Sequence, residues 1–191
     1  MSGTWRRPRR FAARVALAAS ALLAGAASFA AAQTESTVPA PGRTEFTLLG
    51  GFGYGVKINS GVTEEQSGVL VPQLGVGISA RFEYLAEGEL AKYFRPSGFA
   101  AGFVPVGGRY FFATGHTAPY VAGGLGMVWT DLDVPEISRR FNFIVQGSLG
   151  VRGGGGAWTV EARFLHYSNA NTVTPNLGLN SVVGLVGVRI P

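Results

Sequence analysis

The feature that most constrains this chain is a two-residue rhythm, in which large apolar side chains alternate with small or polar ones, repeated in stretch after stretch from residue 44 onward. Side chains on an extended strand point alternately to the two faces of a sheet, so the rhythm specifies strands whose faces differ in kind. In residues 44–56, Phe46, Leu48, Phe52, Tyr54 and Val56 share one parity, while Thr47, Gly51, Gly53 and Gly55 occupy the other. In residues 141–152 the contrast is Phe141, Phe143, Val145, Leu149 and Val151 against Asn142, Gln146, Ser148 and Arg152, with Ile144 as the exception on the polar side. Residues 69–80, 83–95, 99–112, 118–130, 158–168 and 179–190 follow the same pattern, which makes eight segments.

Each segment meets the roughly nine to eleven residues that a tilted membrane strand requires, and exceeds the five or six usual in soluble sheets. An even number of long strands predicts an all-β fold, an eight-stranded antiparallel transmembrane β-barrel. The many strand glycines fit a narrow barrel interior, and aromatics near the strand ends, such as Tyr54, Tyr93, Tyr110, Tyr120, Trp129 and Tyr167, suit interfacial girdles. A soluble lipocalin-like barrel carries the same alternation turned inside out, so parity alone leaves both architectures open. The predicted connections are 57–68, 113–117, 131–140, 153–156 and 169–178, short turns mixed with longer loops.

The residues before the rhythm are of another kind. Arg6, Arg7, Arg9, Arg10 and Arg14 form a basic region, residues 15–27 an Ala/Leu-rich apolar run, and Ala30, Ala31 and Ala32 a small-residue cleavage site. The expected organisation is a signal peptide over 1–32, a disordered or periplasmic leader over 33–43, and an outer-membrane barrel domain over 44–191. Those five arginines, with no acid among them, belong to the export signal; of 16 basic and 11 acidic residues the remainder therefore carries 11 of each. The high isoelectric point thus resides in the signal, and no clustered basic surface is left to suggest a nucleic-acid partner. With no cysteine and two histidines, His116 and His166, neither thiolate chemistry nor a multi-histidine metal site is expected, and no cofactor is implied. Asp131, Asp133 and Glu136 lack the spacing of a calcium loop and are read as a solvated loop.

The segment 158–168 is chemically the most informative. Val160, Ala162, Phe164, His166 and Ser168 share one face with Trp158, and Thr159, Glu161, Arg163, Leu165 and Tyr167 share the other. If the apolar parity faces lipid, Glu161 and Arg163 lie in the lumen, where charges can pair, while His166 and Ser168 face outward near the membrane interface. Residues two apart on a strand project from the same face, so His166 is placed to act as general base for the Ser168 hydroxyl in attack on an ester. A wet, idle pair of rim residues satisfies the same spacing.

The motif elements His166-x-Ser168-Asn169, Pro175-Asn176 and Gly178-Leu179-Asn180-Ser181, within residues 161–184, resemble the C-terminal signature of the outer-membrane lipid A 3-O-deacylases, also grouped as PagL-like acyloxyacyl hydrolases. Residues 119–142 resemble the same family's penultimate region, so the resemblance covers about the C-terminal half. It implies an eight-stranded barrel in the cell outer membrane whose active site lies on the outer surface. There it would hydrolyse the acyl ester at the 3-position of lipid A of lipopolysaccharide without a metal, and a homodimer is left open. By motif position Ser168 would be the nucleophile and His166 the general base, with Asn169 and Asn176 as oxyanion donors or site supports. Where the family's characterised pattern has a glutamate on the last strand, this chain has Asn180, which shares the outer face with Val182, Val186 and Val188. An asparagine can orient a histidine but lacks the charge that stabilises an imidazolium. A slow deacylase and a noncatalytic structural or adhesive barrel are therefore both compatible with these residues, and a secreted soluble barrel remains the third reading.

Overall fold

Eight strands form where the alternation predicts them: β1 (Thr44–Gly55), β2 (Gln66–Gly77), β3 (Phe82–Arg95), β4 (Ser97–Phe111), β5 (Thr117–Thr130), β6 (Phe141–Gly153), β7 (Trp158–Ser168) and β8 (Leu179–Ile190). The structure, a computed structural model, describes residues 37–58, 64–174 and 176–191. The expected signal peptide and residues 33–36 lie outside the described residues, as does Pro175. Each strand pairs antiparallel with the next and β8 pairs with β1, so the sheet closes on itself and no edge remains.

The direction of the alternation resolves the ambiguity between the two barrel types. Phe141, Leu149 and Val106 are 70 %, 65 % and 62 % exposed, while Glu83, Arg109 and Arg163 on the opposite parity are 0 %, 0 % and 2 % exposed. A water-soluble barrel cannot have its phenylalanines outside and its carboxylates inside; a barrel solvated by lipid requires that arrangement. The short turns 78–81, 112–116 and 154–157 lie at one rim with both barrel termini, and the strand ends that lead into the β1–β2, β5–β6 and β7–β8 connections lie at the other, with only Pro96 between β3 and β4. By the usual asymmetry of such barrels the short-turn rim is periplasmic and the long-loop rim faces outward.

Three expectations are corrected. Tyr93, Tyr120 and Tyr167, expected in interfacial girdles, are buried on the lumen-facing parity. β2 begins and ends three residues earlier than the alternation suggested; at its end Ser79 closes the turn, its hydroxyl accepting from the Phe82 and Arg81 amides, and Ile78, apolar and in phase, belongs to that turn. The part of the leader that is described is packed on the barrel. Val38 is buried among Phe111, Ala118 and Tyr120, the Gly42 amide donates to the Gly77 carbonyl at 2.8 Å, and the Thr37 hydroxyl donates to the Gly115 carbonyl.

The periplasmic half of the lumen is held by paired charge. Arg109 donates to Glu83 and to Gln73 at 2.7 Å each, and its guanidinium stacks 4.4 Å over the Tyr120 ring. Arg163 donates to Glu161 at 2.7 Å, to Glu87 at 2.8 Å and to Gln146 at 3.2 Å. Tyr120 fits beside this network because position 150 is glycine; a Cβ there would lie 2.3 Å from the Tyr120 ring. The outer half is more apolar, though Glu89, bonded by the Tyr167 hydroxyl, is buried in it, and Leu132, Val134 and Ile137 of the β5–β6 loop join its cluster with Leu165, Tyr167, Leu179 and Val183, so that loop is anchored in the lumen.

Arg163→Met would leave Glu87 and Glu161 buried without their cation. Breaking a buried pair from one side costs about 3–5 kcal/mol, and urea unfolding of the barrel in micelles should show a loss of that size. Adding Glu87→Gln should recover part of it; an unchanged midpoint for Arg163→Met would mean that the network contributes nothing to stability.

Candidate active site

β7 carries its two chemical residues at its outer end, on the lipid-facing parity, where both are half-buried. His166 pairs in register with Asn180 of β8 on one side and Val145 of β6 on the other, and Ser168 pairs with Phe143. Glu161, on the inward parity, is committed to Arg163 and to the Tyr120 hydroxyl at 2.6 Å, so it takes no part in the outer cluster.

Register places Asn180 directly beside His166, and the two side chains meet: His166 Nδ1 lies 2.8 Å from Asn180 Oδ1. The other half of the amide is also engaged, since Asn180 Nδ2 donates to the Gly178 carbonyl at 3.2 Å. The amide orientation is thereby defined. Oδ1 can only accept, so the contact is a hydrogen bond in the tautomer that carries its proton on His166 Nδ1, which leaves Nε2 its lone pair. An imidazole in that tautomer can take a proton from a hydroxyl.

After Ser168 the chain turns sharply. Ala170 and Asn171 both adopt left-handed conformations, with φ of 53° and 61°. Asparagine tolerates this region; alanine there stores strain of about 1 kcal/mol or more and persists only when its surroundings over-determine it. Here they do. The Thr172 amide and hydroxyl both donate to the Asn169 carbonyl, at 3.1 Å and 2.8 Å. The Asn169 amide N–H donates to Asn176 Oδ1 at 3.0 Å, and Asn176 Nδ2 donates to Asn171 Oδ1 at 3.1 Å. Asn169 Nδ2 donates to Ser138 Oγ at 3.1 Å and to the Val173 carbonyl at 2.9 Å. Asn169 and Asn176 thus tie the 169–178 loop together directly beside Ser168.

The β5–β6 loop is bonded to this loop. The amides of Leu177 and Gly178 both donate to the Glu136 carbonyl at 3.2 Å, and Ile137 bridges to Asn176. The expected solvated acidic loop is therefore only partly that: Asp133 is exposed, but Glu136 is buried and Asp131 Oδ1 accepts the Phe99 amide at 2.6 Å. Its apolar residues Leu132, Val134 and Ile137 carry the loop inward, against what its charge suggests. On the lumen side of β8, Ser181 Oγ donates at 2.6 Å to Glu65, whose carboxyl burial pushes above the ordinary carboxylate range, with the charge of Glu136 adding to the effect.

Sequence reasoning missed Ser138, Glu136 and Gly178 as parts of this arrangement. Gly178 stood inside the quoted motif, and a glycine among larger motif residues was the available signal; contacts between two loops distant in sequence left none.

A family model for lipid A 3-O-deacylase (PagL) matches residues 47–189. Among solved structures, the outer membrane enzyme PagL superimposes with a TM-score of 0.59 at 17 % identity, covering 78 % of this chain and 100 % of that one. Neisserial surface protein A superimposes with a TM-score of 0.57 at 14 % identity, covering 77 % of this chain and 96 % of that one. At these identities the structural likeness speaks for the fold. A search of curated protein sequences gives no significant match. The family match spans every strand of the barrel, and with the outward-facing apolar surface it leads to one conclusion: this chain is an outer-membrane β-barrel that belongs to the lipid A 3-O-deacylase (PagL) family.

Proposed function

We propose that the protein hydrolyses the ester joining an acyl chain to the 3-position of lipid A, with Ser168 as nucleophile, His166 as general base and Asn180 as the group that orients the histidine. The observation that carries this reading is the 2.8 Å contact between His166 Nδ1 and Asn180 Oδ1, on the lipid-facing surface two residues from Ser168. It lies at the long-loop rim, level with the outer leaflet in which lipopolysaccharide resides. The substrate's acyl ester can reach such a site by lateral diffusion.

His166 Nε2 takes the Ser168 proton as Oγ attacks the ester carbonyl, and the tetrahedral intermediate collapses by expelling the sugar 3-hydroxyl, which receives that proton back from the imidazolium. Water, activated by the same nitrogen, then releases the acyl chain as a fatty acid. Asn169 and Asn176 support the site by holding the turn that follows Ser168, and the second Nδ2 hydrogen of Asn176 is a candidate donor to the developing oxyanion.

Lipid A is an anionic phosphoglycolipid, and a cation pair stands near the nucleophile. Arg139 and Arg140 are both exposed and directly follow Ser138, which is bonded to Asn169. Arg139→Gln with Arg140→Gln should raise KM for lipid A several-fold with little change in kcat, since exposed charge contacts each contribute up to about 1 kcal/mol. Equal KM values for the double variant and the wild type would remove these arginines from recognition.

The direct test is mass spectrometry of lipid A incubated with the folded protein in micelles. Loss of one ester-linked hydroxyacyl chain from the 3-position supports the reading. Intact lipid A with a properly folded barrel, under conditions where an active relative works, rejects it. That result would favour the noncatalytic structural or adhesive barrel, for which the uncharged Asn180 is the specific argument.

A further inference from the structure

An asparagine in the orienting position of a serine triad has a known failing. Its amide can present N–H to the imidazole, which then keeps its own proton on Nε2, where the nucleophile needs a base. In this protein the orientation is decided outside the triad. Asn180 Nδ2 is drawn to the carbonyl of Gly178 at 3.2 Å, which leaves Oδ1 for His166.

Gly178 acts on the histidine itself as well. A Cβ built on Gly178 would lie 2.4 Å from His166 Cε1 and 3.2 Å from Nδ1, so the ring rests against the bare Cα and any side chain there would displace it. The backbone is left-handed at this point, with φ of 76°, and the Gly178 amide is fixed to the Glu136 carbonyl at 3.2 Å. The residue is therefore held by the β5–β6 loop, seats the imidazole and sets the Asn180 amide.

We infer that Gly178 is a positioning residue that holds His166 in its Nδ1-protonated tautomer by fixing the amide of Asn180, and so lets an uncharged side chain orient the base. The inference rests on the proposed Ser168–His166 chemistry for its purpose, but its geometry can be tested without turnover.

The experiment is ¹⁵N NMR of the histidines in the full-length folded barrel in micelles, above the pH of imidazole titration, with deacylation kinetics in parallel. The sequence has two histidines, and exposed His116 serves as the internal reference. Wild-type His166 should be protonated at Nδ1. Gly178→Ala and Gly178→Asn should both shift it toward the Nε2-protonated form and lower kcat about 10- to 100-fold at unchanged KM, as small displacements of a catalytic group do. Asparagine tolerates a left-handed backbone, so its failure to rescue would assign the defect to the lost space for His166. Gly42→Ala is the control: φ there is 78° with nothing within 4 Å of a Cβ, and both tautomer and rate should match the wild type.

An Nε2-protonated His166 in the wild type would overturn the inference. So would wild-type tautomer and kcat in Gly178→Asn, which would reduce Gly178 to a backbone device. The expected tautomer pattern in a protein that leaves lipid A intact would uphold the inference and count only against the proposed activity.

Discussion

Ser168→Ala is expected to reduce acyl release from lipid A by at least about 100-fold, with the barrel folded and inserted as before. The size follows from how triad residues fail together. In a complete serine triad, removing the nucleophile costs about 10⁶ in kcat, and removing the acid alone about 3 × 10⁴, because the members act as one device. On the mechanism proposed here the orienting group is an uncharged asparagine, so the wild type starts nearer the floor and less remains to lose. The charge that stabilises the imidazolium is absent here, but the tautomer is kept by the Asn180 amide, so the wild type should stand well above that floor. Ser168 is half-buried on the outer face, and the change to alanine removes only a hydroxyl, so the substitution should leave urea stability within about 0.5 kcal/mol of the wild type. The measurement is release of the hydroxyacyl chain by both proteins in the same micelles. Equal release would show that the hydrolysis proceeds without Ser168, and the mechanism proposed for this site would fall with it.

How much of this was legible beforehand depends on the range over which each interaction acts. The strands were readable because a closed barrel imposes period two on every segment, and β7 and β8 begin and end where the alternation does. Ser79 and Ile78 misled at β2 because a turn closed by one hydroxyl interrupts no pattern. The facing of His166, Ser168 and Asn180 was legible for the same reason as the strands. Their register was not: that His166 faces Asn180 and not a neighbour two residues away is set by the length and internal bonding of the 169–178 loop. The role of the β5–β6 loop was hidden more deeply. Asp131, Asp133 and Glu136 suggest solvation, while the interspersed Leu132, Val134 and Ile137 fill the outer end of the lumen and place the Glu136 carbonyl against Leu177 and Gly178. Nothing local to either loop announces that contact.

Asn180→Asp should raise kcat by about 10- to 100-fold. The ceiling is the roughly 10⁴ that an acid-to-asparagine change can cost in a serine triad, a figure that includes loss of the correct tautomer. Here the tautomer is already held, so only the charge contribution remains to be recovered. Aspartate has the same length as asparagine and can keep one oxygen 2.8 Å from His166 Nδ1. Its second oxygen, however, replaces a donor with an acceptor facing the Gly178 carbonyl, at the position where Nδ2 now sits 3.2 Å away. That repulsion, at a buried position, should lower stability by about 1–3 kcal/mol and limit the gain. Asn180→Glu can avoid the carbonyl by its extra methylene and should gain at least as much. Both variants carry a signature that a packing change would not produce. A carboxylate beside the imidazole stabilises its charged form, so both should move the acid limb of the pH–rate profile to higher pH, which an uncharged substitution should not. The gain over wild type should therefore be largest in alkaline conditions and shrink as the pH is lowered. Profiles of kcat against pH for wild type, Asn180→Asp, Asn180→Glu and Asn180→Ala would resolve this. If neither acidic variant exceeds the wild type at any pH while both remain folded, then imidazolium charge does not limit the rate. Asn180 would in that case be an adapted part of the site, not a lost acid.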